Sequence, residues 1–150
     1  MVINMESENK NVLDEVNKGC AMGMDAIKDI LPKVTNDKFS TVLNGEYDKY
    51  KKIHKRIEDI YTNYAPSYEE PTETSKMNKI MTEMMVNMKT MTDNSDSKLA
   101  ELLLQGTNMG IIEGRKLLNN KSDLDEGVLN ILKDFITMQE DSVETLKKYL

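Results

Sequence analysis

The most constraining feature of this sequence is a regular repeat of core-type positions between residues 39 and 64. Steps of four and three residues alternate along it without a break, at Phe39, Leu43, Glu46, Tyr50, Ile53, Ile57, Ile60 and Tyr64. Residues spaced in this way lie on one face of an α-helix, and a sustained heptad stripe is typical of a long helix packed at a shallow angle against its neighbours. The repeat predicts a helix over residues 37–64 inside a bundle.

Four other segments have helical periodicity, and polar breaks separate them. The additional predicted helices cover residues 11–34, 76–91, 98–119 and 124–149. Long helices joined by short connections favour antiparallel neighbours. A chain of 150 residues is long enough for one domain with its own core. We therefore predict an all-α, up-and-down antiparallel bundle over residues 11–150, with a four-helix core and one additional or shorter helix, preceded by a flexible N-terminal extension over residues 1–10.

Charge and composition narrow the partners that the chain can have. The net charge is −6, which argues against nucleic acid because neutralising phosphates requires a basic face. No apolar stretch approaches the roughly 20 residues of a membrane span, and the first residues lack the layout of a signal peptide. Cys20 is the single cysteine, so no intrachain disulfide can form. These features predict a cytoplasmic protein with neither nucleic acid nor membrane as partner.

Methionine is concentrated in the third predicted helix, where residues 76–91 contain six of the chain's twelve methionines. Five of them follow one helix face, which predicts a buried seam at Met77, Met81, Met84, Met88 and Met91. Because methionine is flexible and polarisable, the seam could instead form a groove for a partner helix. A third alternative is a soft-metal site for Cu(I), in which Cys20 and Met24 would act together with Met81, Met84 and Met88.

Five glycines inside predicted helices need a compensating interaction. They occur at regular spacing in two helices, at Gly19, Gly23, Gly106, Gly110 and Gly114. Each costs about 0.5 to 1 kcal/mol relative to alanine in a helix interior. Close approach of two helices would offset this cost, and we predict such packing at these positions. Space for a ligand, or for a helix of another subunit, is the alternative.

Polar residues at core positions are the candidates for a binding site. Glu46 is the one ionisable carboxylate on the 39–64 stripe, and Tyr50 follows it one turn later. Gln139 interrupts the apolar stripe of the last helix, and Glu113 borders the stripe of the fourth. These four residues could form a hydrogen-bonded network that fixes helix register, or they could face solvent near an end of the bundle. Alternatively, they form a site for a small polar ligand or a metal.

A di-iron carboxylate centre is excluded by the histidine content. Such centres use two Glu-x-x-His motifs on facing helices. The one histidine of the chain is His54, and the residue three positions before it is Lys51. The sequence also lacks a recognisable nucleophile with its base, a phosphate loop and a cofactor fingerprint. No cofactor is predicted, although a degenerate metal site is compatible with the remaining carboxylates.

Two stretches of the chain carry a family resemblance. VLDEVNKGCAMGMDAI (residues 12–27) and SDSKLAELLLQGTNMGIIEGRKLLNN (residues 95–120) resemble a set of small uncharacterised bacterial proteins that look like ferritin-like helical bundles. The resemblance implies a ferritin-like four-helix core and a cytoplasmic setting, and it transfers no functional residues. The favoured hypothesis is a non-enzymatic bundle that acts through protein–protein contacts, as a homodimer. The alternative is a ferritin-like bundle that binds a metal or a small ligand at a degenerate site.

Overall fold

The computed structural model describes residues 5–68, 83, 86, 88, 89, 92–120 and 123–150. All regular secondary structure in these ranges is helical, as the sequence predicts. Four α-helices are present there, namely α1 (Met5–Ile30), α2 (Asp37–Tyr61), α3 (Asp96–Asn120) and α4 (Glu126–Leu146). Single 3₁₀ turns, Leu31–Lys33 and Lys147–Tyr149, follow α1 and α4. In the described part of the chain, no helix combines the length and apolar character that a bilayer crossing needs.

The first helix begins earlier than the sequence predicts. α1 starts at Met5, so it includes residues 5–10, which we assigned to a flexible N-terminal extension. Asn9 is only 1% exposed, and its Oδ1 accepts a hydrogen bond from the backbone N–H of Asp125 at 2.9 Å. A buried side-chain amide is compatible with a packed helix when a backbone N–H donates to it. The polar composition of residues 5–10 does not by itself reveal such a bond.

The beginning of α2 is fixed by side-chain caps. Asn36 is the N-cap residue, and its side-chain oxygen accepts a hydrogen bond from the backbone N–H of Phe39 at 3.0 Å. The carboxylate of Asp96, the first residue of α3, accepts hydrogen bonds from the backbone N–H groups of Thr35 at 3.0 Å and Asn36 at 2.9 Å. These bonds satisfy donors that a helix start leaves free and hold the beginnings of α2 and α3 together.

The heptad stripe of α2 forms part of the core, with a change in its last turn. Six predicted positions are buried, namely Phe39, Leu43, Glu46, Tyr50, Ile53 and Ile57. After them, Tyr61 is buried and Ile60 is only partly buried. A straight α-helix has 3.6 residues per turn, so its inward face drifts by about 20° per heptad relative to a strict 3.5-residue repeat. Over three heptads this drift moves the inward position from Ile60 to the next residue.

Contacts between α1 and α2 show that these two helices run in opposite directions. The hydroxyl of Tyr61, at the end of α2, donates a hydrogen bond to Asp14 near the beginning of α1 at 2.6 Å. Earlier in α2, the ring of Tyr50 lies against Gly23, which is further along α1. Residue numbers therefore fall along one helix as they rise along the other.

Helices α3 and α4 also run in opposite directions. Gly110 of α3 lies against Gln139 of α4, and Gly114, one turn later in α3, lies against Ile136, which is earlier in α4. α4 also packs on α2, and its outer edge carries an ion pair between Arg56 Nη1 and Asp134 Oδ2 at 2.9 Å. Together, α1, α2, α3 and α4 surround a shared interior.

Candidate functional site

A cavity of about 60 Å³ lies between the four helices. Helices α1 and α3 contribute glycines to its wall, at Gly19, Gly23, Gly106 and Gly110. Apolar side chains from all four helices form a second part of the wall, among them Ile27, Leu43, Leu103 and Leu146. The polar side chains on the described wall are Glu46, Tyr50, Thr107, Gln139 and Ser142. The cavity therefore has an apolar portion and a cluster of buried hydrogen-bonding groups.

Glu46 provides the negative charge of the cavity. Its side chain projects from the inward face of α2 and the residue is 4% exposed. The Ser142 hydroxyl of α4 donates a short hydrogen bond to Glu46 Oε2. The second oxygen, Oε1, lies 3.3 Å from Nζ of Lys49, whose side chain is 51% exposed. Glu46 is thus held by a neutral donor inside the core and by a lysine that extends to solvent.

Tyr50 and Gln139 form the next polar layer, one turn from Glu46 and Ser142. Gln139 Nε2 donates to the Tyr50 hydroxyl at 3.4 Å, a long hydrogen bond. Burial raises the pKa of Tyr50 to about 12, and its hydrogen bonds with Gln139 and Thr107 act in the opposite direction. Thr107 uses its own hydrogen on the backbone carbonyl of Leu103, at 2.7 Å.

One buried acceptor of this cluster has no partner. Gln139 is 3% exposed, and its Oε1 is the single buried side-chain nitrogen or oxygen atom in the described part of the chain for which no hydrogen bond is formed. A buried polar atom left unpaired costs about 1 to 3 kcal/mol. Since almost all such atoms in folded proteins are paired, this oxygen marks a position where a donor from outside the chain would be favoured.

Glycines give the cavity its shape through close helix packing. A Cβ atom added at Gly23 would lie 2.6 Å from Cε2 of Tyr50, and one added at Gly110 would lie 2.8 Å from Cδ of Gln139. At Gly114 the nearest atom would be Cγ1 of Ile136, at 2.8 Å. These three glycines let side chains of α2 and α4 approach another helix closely, and two of those side chains are polar groups of the cavity.

The structure brings three of the four predicted ligand-binding residues together, and Glu113 lies elsewhere. Glu46, Tyr50 and Gln139 line the 60 Å³ cavity. Glu113 lines a second cavity of about 240 Å³ between α1, α3 and α4, and its Oε1 lies 3.6 Å from Lys116 Nζ. Glu15, the other carboxylate there, has Lys18 at 3.3 Å. Among the described residues, the unpaired buried side-chain atom, Gln139 Oε1, belongs to the lining of the first cavity and not to that of the second, so the first cavity is the better candidate site.

The sulfur-containing alternative is only partly within the described residues. Cys20 is fully buried, and burial raises the pKa of its thiol. Met24 packs partly buried against the core, and Met88 is buried in it. Met81 and Met84 lie outside the described residues. Within the ranges that are described, no three histidine, cysteine, aspartate or glutamate side chains are placed to hold a metal ion together. A soft-metal site stays a prediction.

Sequence reasoning missed two hydroxyl residues of the cavity, Ser142 and Thr107. Hydrophobicity alone predicts that the stripe of the last helix consists of Val128, Leu132, Phe135, Gln139, Val143 and Leu146. In α4, however, Ser142 is buried and Val143 is only partly buried. The spacing contains the signal, because Phe135, Gln139, Ser142 and Leu146 follow the same alternation of four and three residues as α2. A hydrophobicity pattern favours Val143 over Ser142 at this position, because valine is the more apolar of the two. Thr107 had no comparable signal.

Comparisons with protein-family models, with curated proteins and with solved structures find no match to this chain. Residue roles are therefore not transferred from a relative. The groups that line the 60 Å³ cavity are the basis for a functional conclusion.

Proposed function

We propose that this protein is a non-enzymatic binding protein that holds a compact small molecule in the cavity between α1, α2, α3 and α4. The observation that carries the proposal is the unpaired Gln139 Oε1, a buried acceptor on the wall of a cavity. A ligand that donates a hydrogen bond to this atom would remove its desolvation cost. Because the cavity wall is otherwise mainly apolar, the remainder of the ligand should be hydrocarbon.

The size of the cavity limits the ligand. A buried water molecule needs about 10 to 15 Å³ of cavity volume. A cavity of about 60 Å³ therefore has room for roughly four to six non-hydrogen atoms. At a ceiling of about 1.5 kcal/mol per non-hydrogen atom, a five-atom ligand gains at most about 7.5 kcal/mol, so its Kd should be weaker than about 1 μM.

Binding fits the chemistry of the wall better than turnover does. An efficient general acid or base has a pKa close to the working pH. Burial moves the pKa of Tyr50 away from neutrality, to about 12. Tyr50 thus stays a neutral hydrogen-bonding group, as the positioning of a ligand requires. The Glu46 carboxylate and the Ser142 hydroxyl hold each other in place in the same wall.

We also propose that the cavity lies in an up-and-down bundle of the ferritin-like type. Its support is the opposite direction of α1 and α2 and of α3 and α4, together with the resemblance of residues 12–27 and 95–120. Self-association through the methionine seam stays a prediction, since most of that seam lies outside the described residues. The cytoplasmic location is likewise still a prediction.

Methyl NMR titration tests the binding proposal. The titrants are four compact molecules of similar size, namely butanol, butylamine, butyramide and butyrate. We expect at least one of them to shift, in a saturable way, the methyl signals of Leu43, Leu103 and Leu146, which line the cavity. The methyls of Ile57 and Leu132, which are buried but do not line it, are the controls. If no titrant shifts the cavity methyls at millimolar concentration, the proposal is overturned.

A further inference from the structure

We infer that the cavity selects a small primary alkylammonium ion over neutral or anionic molecules of the same size. This inference rests on the proposed function, because it names the chemical class of the ligand for the same cavity. Its basis is the juxtaposition of a buried carboxylate, Glu46, with a buried and unpaired amide oxygen, Gln139 Oε1.

The hydrogen-bonding groups of the cavity already use most of their own donors. The Ser142 hydroxyl donates to Glu46, and the Thr107 hydroxyl donates to the carbonyl of Leu103. The Gln139 amide nitrogen donates to Tyr50. Acceptor capacity remains on the described wall at Gln139 Oε1 and at the carboxylate of Glu46, beside donor capacity at the second amide hydrogen of Gln139 and at the Tyr50 hydroxyl. A ligand with several N–H groups can donate to both of these acceptors, which a ligand that only accepts hydrogen bonds cannot do.

Charge favours a cation over a neutral donor. Glu46 is 4% exposed, and its ionic partner Lys49 lies at 3.3 Å with half of its side chain in solvent. An ion pair whose cation is this exposed is weak, because water screens it. A cation inside the cavity would instead meet the carboxylate where little water is present and the interaction is stronger. An anionic ligand would be repelled by the same carboxylate.

The two acceptors lie on adjacent levels of the α2–α4 contact, so one ammonium group can reach both. Glu46 and Tyr50 are one helical turn apart in α2, and Ser142 and Gln139 are one turn apart in α4. Residues with this spacing have Cβ atoms about 5 to 6 Å apart. The Glu46–Ser142 and Tyr50–Gln139 contacts connect the two helices at these two levels. An ammonium group has three donors, so it can serve an acceptor at each level.

The apolar part of the wall fits a short alkyl chain. Ile27, Leu43, Leu103 and Leu146 line the cavity together with the glycines. Burying one CH₂ group is worth about 0.8 kcal/mol, so a butyl chain supplies much of the affinity, and the polar end decides the selectivity. Space for roughly four to six non-hydrogen atoms favours a short amine over a longer one.

The test compares three titrants of matched size, butylammonium, butanol and butyrate, on the unaltered chain by methyl NMR at neutral pH. We expect butylammonium to bind at least about tenfold more tightly than butanol, because charge-assisted hydrogen bonds are roughly twice as strong as neutral ones. Butyrate should bind most weakly of the three. If butanol or butyrate binds as tightly as butylammonium, the ammonium inference is overturned while the binding proposal stands. If none of the three binds, the inference fails, and if butyramide does not bind either, the binding proposal fails with it.

A pair of variants tests whether Glu46 is the source of the preference for butylammonium. Glu46→Gln should reduce the preference for butylammonium over butanol to about onefold, since the charge is removed and the shape is kept. Glu113→Gln, in the second cavity, is the matched control and should leave the preference unchanged. A preference that survives in a folded Glu46→Gln protein would overturn the assignment. Because the three titrants are compared on the unaltered chain first, a failure of Glu46→Gln to fold leaves the main test intact.

Discussion

Asn9 in α1 is hydrogen-bonded to the residue that precedes α4, Asp125, through a side-chain oxygen and a backbone N–H that are 2.9 Å apart. The two residues are 116 positions apart in the chain. Asp125 is the N-cap residue of α4, but its own side chain makes no capping hydrogen bond there. A residue of the first helix thus fixes the start of the last one, at a position that we had predicted to be flexible.

Asn9→Ala should lower the free energy of unfolding by about 0.5 to 1.5 kcal/mol, because the buried Asn9 side chain no longer accepts the hydrogen bond from the backbone N–H of Asp125. Urea denaturation followed by circular dichroism measures the change. Asn11→Ala, at an exposed position of the same helix, is the matched control and should stay within about 0.5 kcal/mol of the unaltered protein. Equal effects of the two substitutions would contradict the role of Asn9.

Two glycines in helix interiors should respond to alanine in opposite ways. Gly23→Ala should destabilise the fold by about 1 to 3 kcal/mol, because its Cβ would lie 2.6 Å from a ring carbon of the buried Tyr50. Gly45→Ala should stabilise it by about 0.5 to 1 kcal/mol, since no atom lies within 4 Å of the new Cβ and alanine favours helix. Thermal unfolding of both variants measures the difference. A stabilising Gly23→Ala would show that close packing does not explain this glycine.

Tyr50 should make the protein sensitive to alkaline pH. Its pKa is raised from 10.0 to about 12 by burial, so its contribution to stability is complete below pH 10 and is lost as the pH rises toward 12. The loss should approach about 1.4 kcal/mol per pH unit within that window. Denaturation at a series of pH values, with ultraviolet titration of tyrosinate, gives the slope.

Tyr50→Phe should make this alkaline slope shallower. Tyr64 titrates in the same window, because burial and its hydrogen bond to Asp125 raise its pKa to about 12. Part of the slope should therefore persist in Tyr50→Phe, and Tyr64→Phe should remove a further part. An alkaline slope that Tyr50→Phe leaves unchanged would contradict the burial of an ionisable phenol in the cavity.

Asp96 should make the stability of the protein fall in acid. Its hydrogen bond from the backbone N–H of Thr35, more than any other interaction, lowers its pKa below the ordinary value of 3.8. A lowered pKa means that the contribution is present above pH 3.8 and disappears as the pH falls through the lower value of the folded state. Carboxyl-carbon NMR gives this pKa directly. In Asp96→Asn the loss of stability below pH 3.8 should be smaller, and parallel losses in both proteins would contradict the capping role.

The core of α2 could be predicted from the sequence because burial and periodicity agree there. Phe39, Leu43 and Ile57 lie where the heptad repeat places them. The stripes of α2 and of the last predicted helix also placed Glu46 and Gln139 at core positions, and both residues line the cavity. The exchange of Ile60 for Tyr61 could not be read from the repeat, since it depends on the 3.6-residue turn of a straight helix.

The remainder of the site depends on how the helices are oriented around one another, which periodicity does not encode. Glu113 and Gly110 are three residues apart on α3, yet Gly110 lines the cavity beside Gln139 while Glu113 lines only the second one. Ser142 was missed because a hydroxyl has no hydrophobic signal. Its burial depends on the partner that α2 offers, Glu46.

The polar contacts of α2 also have a consequence for synthesis of the chain. Gln139 follows Tyr50 by 89 residues, and Ser142 follows Glu46 by 96. At about 5 to 20 residues per second, roughly 5 to 20 s pass before the ribosome has added these partners. Throughout that interval the carboxylate of Glu46 is hydrated and interrupts an otherwise apolar helix edge. Glu46, which later supplies the negative charge of the cavity, thus interrupts the apolar face that nascent α2 would otherwise present to other unfinished chains.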